Sequence, residues 1–167
     1  KFKKKNKKKI VSLTAYSKNV ASILDNFCDI ILVGDSLGSV LYNYKSTREV
    51  SLKTMIDHSK SVRMGIKKSL MVVDMPHNTY RNSKEALKNA KKIISNTKCD
   101  AVKLEGGKKI YKIVKFLTKN NIAVIAFLMS DLFTAVSFSV FIYSLLPNRL
   151  SSIWKRLIKF RYKLNAN

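Results

Sequence analysis

The sequence predicts an α/β protein built from repeated parallel strand–helix units, either closed into a barrel or laid out as a doubly wound sheet. Three observations carry that expectation. Short β-rich runs alternate with segments of helical periodicity, at a repeat of roughly 30 residues. "CDIILVGD" (28–35) and "CDAVKLE" (99–105) echo each other as Cys-Asp, apolar strand, acid. The chain has 167 residues and is 46% hydrophobic, enough for one domain with a real core rather than a disordered segment.

In chain order, "IVSLTA" (10–15) reads as a strand, 17–27 as a helix and "IILVG" (30–34) as a second strand. Leu52, Met55, Ile56, Ser59, Val62 and Ile66 then fall on one helical face. "SLMVVD" (69–74) is a third strand, stopped by Pro76. Ser83 can cap the next helix, whose apolar stripe is Ala86, Leu87, Ala90, Ile93 and Ile94. "AVKLE" (101–105) is a fourth strand and Gly106-Gly107 its turn. A helix follows with Ile110, Ile113, Val114 and Leu117 inward, and "IAVIAF" (122–127) is a fifth strand.

The net charge is +23, which raises the question of a nucleic-acid partner. Its distribution argues against one. Seven lysines lie in 1–9 and six Lys/Arg in 148–167, while 10–147 holds the other 20 bases and all 10 acids. The bases are mostly Lys, beside abundant Asn and Ile, as drift in an AT-rich genome produces, and no stacking aromatics alternate with them. No nucleic-acid partner is expected. Cys28 and Cys99 lack metal spacing and read as small buried hydrophobes of a reducing compartment. The basic N-terminus is followed by no apolar signal-peptide core, so the expected location is cytoplasmic. "GDSLGS" is neither a dinucleotide fingerprint nor a Walker loop.

The chemistry is suggested by strand ends. Asp35, Asp74 and Glu105 follow three consecutive strands. In parallel α/β folds those C-terminal ends open on one face, and neighbouring strands are ~4.8 Å apart. One strand-end aspartate by itself most often caps the helix after it. Three in succession would repel one another unless neutralised, which points to a hard divalent cation such as Mg²⁺, with the third acid acting through water. Lys103 lies two residues before Glu105, so it faces the same way and could hold a substrate carboxylate. His58, on the polar side of its helix, and His77, in a loop, read as solvated or packing residues rather than bases. Tyr16 and Ser17 either line the mouth or simply end the first strand.

"LTAYS", "ILVGDSLG", "DHSKSVRMG", "VVDMP", "SKEALKNA" and "AVKLEGG" occur in this order. Over about residues 7–125 the chain resembles ketopantoate hydroxymethyltransferase, also called 3-methyl-2-oxobutanoate hydroxymethyltransferase. The resemblance implies a (βα)₈ TIM barrel of the phosphoenolpyruvate/pyruvate superfamily, a Mg²⁺ cofactor and a homodecamer. It implies one-carbon transfer from 5,10-methylenetetrahydrofolate to 3-methyl-2-oxobutanoate, giving 2-dehydropantoate for pantothenate and coenzyme A synthesis. By position, Asp35, Asp74 and Glu105 match the metal site, and Asp35, Ser36, Asp74 and Lys103 match substrate contacts. The chain departs from the pattern at Ser17, where the family has Asp, at "KSTREVSL" (45–52), and at His77, which replaces an aromatic.

The pattern ends near Phe127. A (βα)₈ domain takes ~250 residues, so about the first five units are expected here, an incomplete barrel. The family's general-base glutamate has no match, and the chain alone is expected to be inactive. Residues 1–127 form the barrel part and 128–167 a divergent tail. Two readings of the tail stand. Residues 122–146 hold one charge, Asp131, and would suit a membrane-spanning helix in an inactive remnant. Alternatively, Phe133–Ser137 can be encoded so that a one-base shift reads Leu-Pro-Gln-Ser, the family's next motif. The shifted frame is the favoured reading.

Overall fold

The computed structural model describes residues 10–107, 110–128 and 140–143. Strand β1 spans Ser12–Thr14 and is followed by helix α1, Lys18–Leu24. Strand β2 (Ile30–Val33) leads into a short helix α2, Leu37–Tyr42, a single 3₁₀ turn at Thr47–Glu49, and helix α3, Leu52–Arg63. Then come β3 (Leu70–Asp74), α4 (Ser83–Thr97), β4 (Ala101–Gly106), α5 (Tyr111–Lys119), β5 (Val124–Leu128) and β6 (Val140–Tyr143).

The sheet runs β1-β2-β3-β4-β5-β6 in space, and β1 to β5 are all parallel. Strand order never reverses, whereas a doubly wound sheet needs such a reversal. The faces agree. Ile31, Val33, Met71, Val73, Val102, Leu104, Val124 and Ala126 join one core with the helical residues Met55, Val62, Ala90, Ile93, Val114 and Leu117. The alternate residues, Ile30, Leu70, Val72, Ala101, Ala123 and Ile125, form a second cluster without helical members. The described helices thus cover one face only, as in the wall of a barrel, and the other face corresponds to the barrel's inside.

Helix starts follow capping chemistry. Ser51 accepts the Thr54 N–H at 3.0 Å at the head of α3. In α4 the cap is Asn82, which accepts the Glu85 N–H at 2.9 Å, and the expected cap Ser83 is instead the first helical residue. Asn82 has the extended backbone a cap needs, and Glu85 beside it suits the helix dipole. Helix α2 was not anticipated; at six residues it is too short to show periodicity.

The Cys-Asp echo has a physical meaning at the N-terminal ends of the strands. Asp29 Oδ2 accepts the Val11 N–H at 3.1 Å, and Asp100 Oδ2 accepts the Met71 N–H at 2.8 Å. Each aspartate ties down the start of the preceding strand. Cys99 is buried and its thiol is pushed up to about 11 by that burial, as for an inert structural residue; Cys28 is only half-buried.

Strand β6 corrects the membrane-helix reading. Residues 124–128 and 140–143, both within the stretch proposed to span a bilayer, are strands paired antiparallel, with Val124 opposite Tyr143. "VFIY" is a strong strand former, and the edge of β5 presents backbone groups that need partners. Among the described residues no helix is long and apolar enough to cross a membrane. Residues 133–137, on which the shifted-frame reading rests, lie outside the described residues.

Asp25 anchors the entry to β3. Its buried carboxylate accepts the N–H groups of Lys67 (2.8 Å), Ser69 (2.8 Å) and Lys68 (3.0 Å). Burial opposes its ionisation, but these donors outweigh it and hold its pKa below the ordinary value. A depressed carboxylate stabilises the fold above its unfolded pKa and loses that contribution as pH falls through the folded one. Asp25→Asn is therefore expected to cost about 2 kcal/mol in urea unfolding at pH 7. The gap from wild type should narrow as pH drops below about 4; a gap independent of pH would count against this account.

Candidate active-site mouth

At the opposite, C-terminal ends of the strands the chain gathers its inward-facing polar residues. Asp74 closes β3 and is 4% exposed. Lys103 is its register partner on β4, so the two side chains leave adjacent strands at the same height. The inner face carries Leu70, Val72 and then Asp74 on β3, and Ala101, Lys103 and then Glu105 on β4. The period of two thus places the charges just beyond the apolar layer.

Lys103 Nζ stands 2.9 Å from Asp74 Oδ1 and also donates to Glu105 Oε1. Asp74 Oδ2 accepts the Asp35 N–H at 3.2 Å, which brings the tip of β2 onto the tip of β3. Gly34 leaves room for the Ser36 hydroxyl, since a Cβ there would lie 2.9 Å from Ser36 Oγ, while Asp74 Oδ2 at 3.5 Å would be in ordinary contact. The Thr47 side chain and the Ser36 N–H favour the charged form of the Asp35 carboxylate. Ser36 is exposed, and its Oγ is 2.7 Å from the Tyr16 hydroxyl. Behind β4, the Met75 N–H donates to the Lys103 carbonyl at 2.9 Å and the Tyr80 hydroxyl to the Glu105 carbonyl at 3.0 Å.

The electrostatics follow from burial and crowding. Burial pushes Asp74 up to about 6, against the pull of Lys103. Asp35 is raised by burial and then by the charge of Glu105, with Lys103 and Thr47 partly offsetting. Burial disfavours the Lys103 ammonium, yet Asp74 and Glu105 outweigh it and hold its pKa above the usual lysine value. Lys103 is therefore a fixed cation at neutral pH and not an amine nucleophile.

The sequence-derived residues Asp35, Ser36, Asp74, Lys103 and Glu105 are thus near neighbours, and Tyr16 reaches the same mouth. Ser17 does not: it stands at the N-cap of α1, its side chain making no cap hydrogen bond. His77 is exposed, and His58 is half-buried against Tyr42 and the Tyr16 carbonyl, a packing position. Thr47 and Tyr80 escaped the sequence reading. Thr47 had a signal, for Ser46 and Glu49 form a capping box around it. Tyr80 had none, because its role is a loop-to-strand contact across 25 positions.

The Ketopantoate hydroxymethyltransferase family profile matches residues 1–130. The chain belongs to the ketopantoate hydroxymethyltransferase family. It is 75% identical over 127 residues to a 3-methyl-2-oxobutanoate hydroxymethyltransferase of Pelagibacter ubique, covering 76% of this chain and 49% of that protein. A protein of the same name from Rhizobium etli is 51% identical over 121 residues, 72% of this chain and 44% of that one. The chain spans about half the length of the curated relatives it matches. Among solved structures it resembles 2,3-dimethylmalate lyase, a PEP mutase/isocitrate lyase superfamily member, with a TM-score of 0.54 at 12% identity. That alignment covers 70% of this chain and 46% of the lyase, and the likeness concerns the fold alone. With the strand order and the one-sided helices, it makes this family member an incomplete (βα)₈ barrel.

The donors suit a hard cation in kind. All are carboxylate oxygens, and Asp74 Oδ1 is buried without an aligned hydrogen bond even though Lys103 is near. They are not drawn into a cage: among the described residues no three His, Cys, Asp or Glu side chains group to hold a metal, and Lys103 stands between Asp74 and Glu105.

An acid with a raised folded pKa stabilises the fold fully below its unfolded pKa and loses that contribution as pH rises through the folded value. For Asp74 the window runs from 3.8 to about 6. Asp74→Asn is expected to unfold later than wild type above pH 6, by up to about 3 kcal/mol, and no later below pH 4. Urea midpoints across that range check this, and equal midpoints at pH 7 would contradict it.

Proposed function

We propose that this chain carries the oxo-acid and metal half of a ketopantoate hydroxymethyltransferase site. The observation that supports it best is the convergence of Asp35, Asp74, Lys103 and Glu105 on one mouth, in a family member with one permanently charged lysine among three acids. Asp35 and Asp74 would hold Mg²⁺ directly, the buried Asp74 Oδ1 beside Lys103 offering the driest donor, with Glu105 acting through water.

The substrate in this reading is 3-methyl-2-oxobutanoate. Lys103 pairs with its carboxylate, exchanging one anionic partner, Glu105, for another. Ser36 and Asp35 position the oxo-acid from the β2 tip, and the apolar inner layer of Leu70, Val72 and Ala101 lies beneath. Mg²⁺, when bound, supplies Lewis-acid polarisation of the keto group, which acidifies the adjacent C–H. Loss of that proton makes the carbon a nucleophile towards the one-carbon unit of 5,10-methylenetetrahydrofolate. With water, the products are 2-dehydropantoate and tetrahydrofolate, a step of pantothenate synthesis. The proton acceptor is not among residues 1–127, since no residue there matches the family's glutamate, so the chain alone binds better than it turns over. A cytoplasmic homo-oligomer, a decamer as in the family, completes the reading.

Calorimetric titration of the chain with 3-methyl-2-oxobutanoate tests this. Binding should require Mg²⁺ and disappear with EDTA. Lys103→Met should weaken it by about tenfold or more, the loss of a charge-assisted pair. Binding indifferent to both would overturn the site, and rapid 2-dehydropantoate formation by the chain alone would overturn the assignment of the base elsewhere.

A further inference from the structure

We propose that Tyr16 is a positioning residue for Ser36, and that His58 acts through Tyr16 to hold it there. The inference rests on the reading of Ser36 as an oxo-acid contact. Ser36 occupies the N-cap position of α2 but makes no capping hydrogen bond with its side chain. Its hydroxyl is instead 2.7 Å from that of Tyr16, and a single proton lies between the two oxygens. Chemistry fixes the direction. The carboxylate and keto groups of a 2-oxo acid offer only acceptors, so Ser36 must spend its proton on the ligand. Tyr16 must then donate to Ser36 Oγ, and the donors run from Tyr16 to Ser36 to the oxo-acid.

Tyr16 is held from behind. Its carbonyl accepts from His58 Nδ1 at 2.8 Å, so Nδ1 carries a proton in either charge state of the ring. His58 Nε2 is 2.8 Å from the Tyr42 hydroxyl, and the two rings meet edge-on at 87°. One turn along α3, Ser61 Oγ accepts the Lys18 N–H at 3.1 Å. His58 and Ser61, three residues apart, share a helix face and hold the β1–α1 loop at Tyr16 and the first residue of α1 at Lys18. Tyr42 ends α2, the helix that Ser36 begins, so one histidine links both sides of the hydroxyl pair to α3.

The test measures the dissociation constant of 3-methyl-2-oxobutanoate with Mg²⁺ on the full chain. Tyr16→Phe removes one oxygen and keeps the ring, so it preserves packing. It should weaken binding by about 5- to 10-fold. His58→Leu should weaken it similarly. His58→Asn, whose amide N–H can replace the Nδ1 donor, should return affinity to within about twofold of wild type. In the Tyr16→Phe background, His58→Leu should cost nothing further. Urea midpoints taken alongside show which variants are folded. Additive losses, or an unaltered affinity in Tyr16→Phe, overturn the proposal alone. Absence of binding by the wild-type chain overturns the reading of the site and this proposal with it.

Discussion

A carboxylate buried at the tip of a strand must be met by something, and here the ammonium of Lys103 meets it. Asp74 and Lys103 are register partners on neighbouring parallel strands, so their encounter is set by the sheet and not by loop conformation. Much else is arranged around that pair. The tip of β2 is tied to Asp74 through the Asp35 N–H. The tip of β4 is braced by Met75 and Tyr80, which bond the carbonyls of Lys103 and Glu105. Burial keeps the Asp35 and Asp74 values high, and the shortage of positive charge, one cation among three acids, adds to it. A divalent cation would remove the shortage and give Asp74 Oδ1 a second cationic partner beside Lys103.

The two ends of the sheet use aspartate for opposite purposes. At the N-terminal ends, Asp25, Asp29 and Asp100 accept backbone N–H groups and fix where strands begin. At the C-terminal ends, Asp35 and Asp74 are crowded by like charge and burial. At Asp25 the backbone donors favour the ionised form and stabilise; at Asp35 and Asp74 burial and like charge oppose it. The same residue type is thus informative only once its end of the strand is known.

Helices on one face explain why the mouth can exist. Every described crossover packs its helix against one face of the strands, on residues such as Ile31, Val73 and Val102, and leaves the alternate residues as an inner layer. That layer is apolar until its last residues, where Asp74, Lys103 and Glu105 appear. Strand β6 joins antiparallel to β5, where parallel addition would continue the barrel. Its pairing satisfies the backbone of β5 by the shortest route available to a strong strand former.

The sequence by itself determined the order and type of the main elements, the buried stripes of α3, α4 and α5, and the set of strand-tip acids with Lys103. These are local properties: periodicity, turn chemistry and the alternation of a strand. It also showed Cys-Asp twice, without saying what either aspartate holds. Only the tertiary structure decided that Lys103 bonds two acids at once, that Tyr16 lines the mouth while Ser17 merely starts a helix, and that Thr47 and Tyr80 belong to the same site. It also decided that the apolar stretch after Ile122 enters the sheet at both of its described ends instead of forming a continuous helix. Each of these depends on which backbone lies beside which, over separations of 20 to 40 positions for Tyr16–Ser36, Asp35–Asp74 and Tyr80–Glu105. Hydrophobic periodicity records which face a residue takes, but carries no information about the neighbour it will find there.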